Sequence, residues 1–391
     1  MKISTASKSI AIVGSSLLLM SAALADVKIG FSGPLSGSQA AVGQDQLDGF
    51  MLGLEERGGK LGGQTVILMK EDDQLKPEVA AQVTRQFIER DKVDAMVGLG
   101  YSNIVMANLR RMAESGTVAI ATSSGPSPVA GAECAANVFS TAWQNDGFGE
   151  AIGKLMQDKG FKNVYLLAPN YQAGKDMLAG YKRFYKGGLS AEVYTQVGQT
   201  DYSAEITQLQ AAKPDAIFAF YPGGMGVNFI KQLSQAGVVT KIPVYSTFTA
   251  DGANLAALRD AAVGVYSGNM WSTSLDNPQN TKFVKAFEAK FKRTPSSYAA
   301  IAYDTASLLD VAVAKVKGNT SDKKAFAAAV KAAGSDFKSV RGPFKFNSNN
   351  MPIQNYYAFE MVKDGADFKS KQVATPLPDH KDAYVSACAL K

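Results

Sequence analysis

Few residues in this chain have the types and spacing that bond-making chemistry needs. A Ser-His-Asp or Cys-His couple requires an imidazole beside its nucleophile. The one histidine, His380, falls in a polar C-terminal tail, which argues against that role. With a single histidine and two cysteines, Cys134 and Cys388, a zinc site of His and Cys runs out of ligands. There is no GxxxxGK run followed by Ser or Thr, and no GxGxxG that opens a helix after a strand. The adjacent acids Glu55-Glu56 and Asp72-Asp73 point apart on a helix or strand, so they read as solvated edges. Nothing points to a carboxylate-only hydrolase. The expectation is a non-enzymatic protein with no catalytic residue, no metal and no cofactor.

What remains is a set of loops suited to binding, at 36–41, 98–103, 121–127, 169–172, 221–224 and 246–251. The first three are rich in glycine and small hydroxyl residues, among them Ser102, Ser123, Ser124 and Gly125. Such loops offer backbone N–H groups and short donors at the starts of helices, which suit a carboxylate. Tyr101, Tyr171, Tyr221 and Phe248 add flat apolar walls. Singly, each loop is an ordinary turn. As a set, they predict an anion site with aromatic walls.

The hydrophobic pattern supplies elements to hold these loops. Residues 27–31 read as a strand, 39–57 as a helix stopped by Gly58-Gly59, 65–70 as a strand, 78–90 as an amphipathic helix and 94–97 as a strand. A second run starts near Gly160, with strands at 163–168, 192–197 and 215–220 and helices at 173–185 and 203–212. Alternation of this kind predicts parallel sheets with helices on both faces. Gly116 follows Asp94 at the spacing by which Gly237 follows Asp215, each ending a strand–helix unit before a further strand, the second at 242–245. Past Gly264 come helices at 280–291, 298–316 and 323–333, then a hairpin of 344–346 and 356–362 around a polar turn. The Pro-rich stretch 375–378 reads as extended and superficial. Ligands of open α/β sheets bind at the carboxyl ends of the strands, and the loops singled out fall there.

The ends and the composition set the class. Lys2 and Lys8, an apolar run over 10–20 and Ala23-Leu24-Ala25 form the pattern of a cleaved signal peptide. The run is short for a bilayer span, so cleavage after Ala25 is expected. The mature chain should then lie outside the cytoplasm with no membrane span. No cysteine follows the cut, so no lipid anchor is expected there. The length exceeds one typical core and suggests two domains. The 41 basic and 35 acidic residues are mixed along the chain without a Lys/Arg cluster, so nucleic acid is not an expected partner. Outside the cytoplasm a cysteine pair is more often bonded than free. A Cys134–Cys388 disulfide is therefore expected, with two unrelated cysteines as the alternative.

At the loops the sequence resembles the branched-chain-amino-acid type of periplasmic binding protein, a component of ATP-driven (ABC) importers. The carrying residues are KIGFSGPLSG at 28–37, VGLGYS at 97–102, PNYQAGKDMLAGYK at 169–182, FYPGGMGVNFIKQ at 220–232 and YAAIAYD at 298–304. The likeness covers essentially the whole mature chain and rests on the order and spacing of these segments. It implies an α/β, type I periplasmic binding protein fold, with two Rossmann-like lobes joined by a three-strand hinge that close on a ligand. The implied division is a signal peptide at 1–25, a first lobe of 26–144 plus 272–352 and a second of 145–271 plus 353–391. The implied molecule is a periplasmic monomer that hands a small carboxylate to membrane permease subunits. In that family the loops around Ser102 and around Ser123-Ser124-Gly125 hold the ligand carboxylate. The positions of Tyr171 and Tyr221 close over it.

Amino-acid binders of the family also place an acid in the loop that matches 246–252, to meet the ligand ammonium. Asp251 is the candidate here, although it is shorter than the usual glutamate and equally suits a cap on the helix from Ala253. Gly125 stands where amino-acid binders often carry Thr, and Tyr101 and Phe248 add bulk. These departures resemble relatives that bind aromatic carboxylates such as benzoate or cinnamate derivatives. The reading therefore ranks an aromatic or related organic acid ahead of a branched-chain or other amino acid meeting Asp251. A ligand sensor of a signalling system ranks below both.

Overall fold

The computed structural model describes residues 1, 26–250, 252–365 and 367–390. Residues 2–25 of the expected signal peptide, and Asp251, lie outside them. The first lobe is built on β1 (Val27–Gly33), β2 (Lys60–Leu61), β3 (Gln64–Asp72), β4 (Ala95–Gly98), β5 (Val118–Ala121) and β6 (Val138–Ser140). Their order is β2-β3-β1-β4-β5-β6, parallel except for the short β2. Helices α1 (Ala40–Glu55), α2 (Pro77–Arg85), α3 (Ser102–Ser115) and α4 (Ser127–Ala130) alternate with these strands. Because helices cover the sheet, β1 buries Val27, Ile29 and Phe31 completely.

The second lobe contains β7 (Asn163–Pro169), β8 (Gly188–Thr195), β9 (Ala216–Phe220), β10 (Val244–Thr247) and β11 (Tyr266–Asn269). With them run α5 (Asp146–Asp158), α6 (Gln172–Phe184), α7 (Ser203–Ala212), α8 (Gly224–Gln235) and α9 (Gly252–Leu258). Three further helices follow, α10 (Pro278–Phe291), α11 (Ser297–Lys315) and α12 (Lys323–Ala333). Ala302, Ala306 and Leu309 of α11 join the core formed by Val27 and Phe31, so this helix belongs to the first lobe. The chain then forms β12 (Lys345–Phe346), β13 (Pro352–Asp364) and β14 (Asp367–His380). The sheet order is β12-β13-β11-β10-β9-β7-β8, with β14 also on β13. β13 runs antiparallel to β11, β12 and β14.

The described chain passes between the lobes at 141–145, at 270–277 and at the start of β13. At the last of these, Asn350 still belongs to the first lobe: the Ser140 N–H donates to its carbonyl at 3.1 Å. The repeat noted in sequence is visible in the backbone. Gly116 and Gly237, just past α3 and α8, both sit at φ +67, the left-handed stop that glycine takes without strain.

Three expected boundaries shift. β10 starts at Val244 because Pro243 has no N–H to donate; its carbonyl instead accepts from Ile217 at 3.0 Å. β8 occupies Gly188–Thr195 because it pairs with the whole length of β7. The Pro-rich stretch 375–378 is part of β14, whose position beyond β13 tolerates Pro376 and Pro378.

Cys134 and Cys388 form a disulfide, with Cα atoms 5.6 Å apart. The tail after β14 is thereby tied to the first lobe, and Asp382 accepts a hydrogen bond from Asn349 at 2.9 Å. Among the described residues, no helix is long and apolar enough to cross a membrane.

Candidate functional site

The carboxyl ends of β4, β5, β6, β7, β9 and β10 open on one narrow cavity between the lobes. The first lobe contributes Gly100, Tyr101, Ser102, Ser123, Trp143 and, from the first turn of α11, Tyr298. The crossing segment adds Asn145. The second lobe contributes Tyr171, Ala173, Met177, Phe220, Pro222 and Phe248. None of these described lining residues carries a charged side chain.

Six of them are aromatic. Phe248 sits among Trp143 at 4.6 Å, Tyr298 at 5.6 Å and Phe220 at 6.3 Å between ring centroids. Its backbone is at φ +56, a region that bulky residues seldom occupy, and the surrounding rings hold it there. Tyr171 stacks on Phe220, with centroids 6.2 Å apart and planes within 22°. Burial pushes the Tyr171 phenol far above its usual range, so it acts as a neutral hydroxyl. Tyr298 is placed by α11, whose Asp304 accepts from the Ser339 hydroxyl at 2.5 Å, the Val340 N–H at 2.9 Å and Arg341 Nε at 3.1 Å.

The polar part is made of neutral groups. Helix α3 begins at Ser102 and α6 at Gln172, with Tyr101 and Tyr171 as their flanking residues and no side-chain cap on either. Two helix N-termini, one from each lobe, thus adjoin the same cavity. The first-turn N–H groups of a helix lack intrahelical partners and carry positive partial charge. Ser102 Oγ accepts from Asn145 Nδ2 at 3.0 Å, which leaves its own hydrogen to donate. Ser123 Oγ donates to the Gly100 carbonyl at 2.5 Å and so presents lone pairs.

Behind this wall lies a charged group. Asp176 of α6 accepts from Ser127, Asn145 and Gln172. Asp146 accepts from Gln144 at 2.8 Å, Tyr384 at 2.8 Å and Arg183 at 3.0 Å. Burial, and then the neighbouring negative charge of Asp176, pushes the Asp146 carboxyl up to about 6. Burial raises Asp176 as well. Glu150 meets both Arg183 and His380. The histidine that reads as part of a polar tail is thus packed against an acid and is not among the cavity-lining residues.

Of the residues singled out in sequence, Tyr101, Ser102, Ser123, Tyr171 and Phe248 line the cavity. Three others do not reach it. Ser124 Oγ donates to the Leu99 carbonyl at 3.0 Å behind the wall. At Gly125 a Cβ would fall 1.6 Å from the Trp143 carbonyl oxygen, so glycine is what lets the crossing segment pass. Tyr221 turns into the second-lobe core, against Phe229 at 4.8 Å and Tyr202 at 5.0 Å, with its hydroxyl 3.2 Å from Thr195 Oγ1. Successive residues of an extended chain face opposite sides, so Phe220 lines the cavity where Tyr221 was expected. Asp251 lies outside the described residues.

Sequence reasoning missed Trp143, Asn145, Met177 and Tyr298 as lining residues. Met177 follows Ala173 by one helical turn on α6, a spacing that puts both on one face. Tyr298 opens one of the segments that carry the resemblance. Trp143 and Asn145 lie in a crossing segment with no helix, strand or turn signature.

Comparison with known proteins agrees with this geometry. Residues 26–366 match the model of a family described as periplasmic binding protein. A solute-binding protein of an ABC transporter from R. palustris, solved in complex with benzoate, is 32% identical, with a TM-score of 0.88, over 94% of this chain and 100% of that one. A solute-binding protein from Rhodopseudomonas palustris BisB5, in complex with 3,4-dihydroxybenzoic acid, is 26% identical, with a TM-score of 0.85, over 92% and 99%. Leu/Ile/Val-binding protein homolog 6 of Brucella melitensis is 27% identical over 376 residues, 92% of this chain and 94% of that protein. Two α/β lobes, the chain crossings between them and a match along nearly the whole chain carry one conclusion: the chain belongs to the periplasmic binding protein family and is a solute-binding protein of the ABC-transporter type, not an enzyme.

Proposed function

We propose that this protein captures a small aromatic carboxylate in the interlobe cavity and delivers it to the permease of an ABC importer. One observation carries the reading: the cavity combines two uncapped helix N-termini and the Ser102 hydroxyl with a wall of six aromatic rings. The donors suit a carboxylate. The rings suit a flat apolar body, which gains from both burial and ring-to-ring geometry. The described lining offers no carboxylate to meet an ammonium. Relatives solved with benzoate and with 3,4-dihydroxybenzoic acid support the same ligand class.

In this reading Ser102 donates to the ligand carboxylate, with Ser123 and Tyr101 beside it. Tyr171 and Phe248 close on the ring. Ser124 and Gly125 shape the wall from behind. The lobes divide as 26–144 plus 272–352 and 145–271 plus 353–391. Cleavage after Ala25 delivers a monomer to the periplasm. A second reading, a branched-chain amino acid with its ammonium on Asp251, is favoured by the names of the Brucella relatives.

A thermal-shift screen on the chain beginning at Asp26 tests the choice. Benzoate and 4-hydroxybenzoate are expected to stabilise by about 3–4 kcal/mol at several-hundredfold excess over Kd. Amino acids are expected to give no shift. A response to leucine, isoleucine or valine with none to aromatic acids would overturn the proposal.

A further inference from the structure

Asp176 does not line the cavity, yet its carboxylate joins the two lobes beside it. From the first lobe, at the start of α4, Ser127 donates both its N–H, at 3.0 Å, and its hydroxyl, at 2.6 Å. From the first crossing, Asn145 Nδ2 donates at 2.9 Å. From its own helix, Gln172 Nε2 donates at 2.8 Å. The carboxylate is 3% exposed, so its hydrogen bonds are made without competing water.

Asn145 extends the connection to the ligand wall. Its amide nitrogen has two hydrogens. One goes to Asp176, and the other goes to Ser102 Oγ at 3.0 Å. Its oxygen is claimed on the other side by Trp143 Nε1 and the Gly125 N–H, each at 3.1 Å. The orientation of the amide is therefore fixed at both ends. A carboxylate can only accept, so Asp176 demands the NH2 side. With that side turned to it, Ser102 Oγ accepts from Asn145 and must point its own hydrogen elsewhere.

We propose that Asp176 is a positioning residue that couples lobe closure to ligand capture: it latches α6 to Ser127 and, through Asn145, sets the Ser102 hydroxyl as a donor. Opening carries α6 away from α4 and breaks the bonds to Ser127. Asn145, at the start of α5, stays with Asp176 on the second lobe and parts from Ser102, so the Ser102 hydroxyl loses its imposed direction. The ligand-directed half of this proposal rests on the carboxylate reading above. The latch half does not.

The test is a double-mutant cycle on the chain beginning at Asp26, with Asp176→Ala, Ser127→Ala and the pair. Benzoate dissociation is followed by tryptophan fluorescence, since Trp143 lines the cavity. Lobe separation without ligand is followed by small-angle scattering. Asp176→Ala is expected to raise the dissociation rate about 10- to 100-fold, with the association rate little changed. Ser127→Ala should raise it less. The pair should match Asp176→Ala alone, because the two residues act through one contact. Both single variants should shift the unliganded protein toward the open form.

Effects that simply add, or a lower melting temperature with unchanged dissociation and lobe separation, would overturn the proposal in favour of a purely structural Asp176. If Asp176→Ala fails to fold, Ser127→Ala carries the test, because it leaves the carboxylate and its other donors in place. A wild-type protein that does not bind benzoate would defeat the ligand reading alone. The scattering shift would then decide the latch.

Discussion

On one side of Asn145 lies the cavity, lined in the described residues by hydroxyls, backbone and rings and by no charged side chain. On the other side lie Asp146, Glu150, Asp176 and Arg183, buried or half-buried, with Tyr384 and His380 against them. The two regions share a wall but divide the work. The rear group holds the lobes, the crossing segment and the tail together with charges whose hydrogen bonds are already made within the protein. The front keeps its side chains neutral and leaves the Ser102 hydroxyl hydrogen unspent, which in the proposed reading meets the ligand's charge. A carboxylate placed at Ser102 would meet donors first and the acids behind them only across Asn145.

Cutting the disulfide should strike the rear hardest. Cys388 anchors the tail that brings Tyr384 to Asp146 and Arg183. Replacing both cysteines by serine should cost about 2–5 kcal/mol of unfolding free energy by denaturant titration. Ligand affinity should change only a few-fold. A collapse of affinity in the folded variant would show that front and rear are not separable.

Next in size is a pH effect confined to the rear. The Asp146 carboxyl, near 6 in the folded protein, lies above its ordinary value of 3.8. The folded state therefore holds the proton more tightly than the unfolded chain does. That contribution is complete below about pH 4 and is lost as pH rises through about 6. Asp146→Asn should remove it. The difference in unfolding free energy between wild type and variant should move by on the order of 2–3 kcal/mol between those limits. A difference that stays constant with pH would contradict the assignment.

At the front, Ser102→Ala should weaken benzoate binding by about 1.5–3 kcal/mol, the value of a hydrogen bond to a charged group. The melting temperature without ligand should hardly change. Unaltered affinity would move the carboxylate elsewhere in the cavity. Smallest of all should be Asp251→Ala, within about 0.5 kcal/mol for an aromatic acid. A loss of roughly 2–5 kcal/mol in the binding of an amino acid would instead mark a buried ammonium partner and favour that ligand class.

The two regions were also unequally legible in the sequence. The front was largely readable, because strand ends, glycine-rich loops and helix starts have local signatures. Tyr101, Ser102, Ser123, Tyr171 and Phe248 emerged from those signatures, and the resemblance supported them. The rear was not readable. Asp146, Asp176 and Arg183 are spread over α5 and α6, and Tyr384 and His380 come from more than 200 residues away in the case of Arg183 and Tyr384. No periodicity brings such groups together; only the crossing of the chain does. Tyr221 failed for a different reason. An aromatic at a strand end is expected at the cavity, but which of two adjacent residues faces it depends on the alternation of the extended chain. Sequence located the position to within one residue, and Phe220 took the place.

The central claim is that the front receives an aromatic carboxylate. Isothermal titration of the chain beginning at Asp26, with benzoate and separately with leucine, tests it most directly. The account predicts saturable one-to-one heat with benzoate and none with leucine. Saturable heat with leucine and none with benzoate would contradict it.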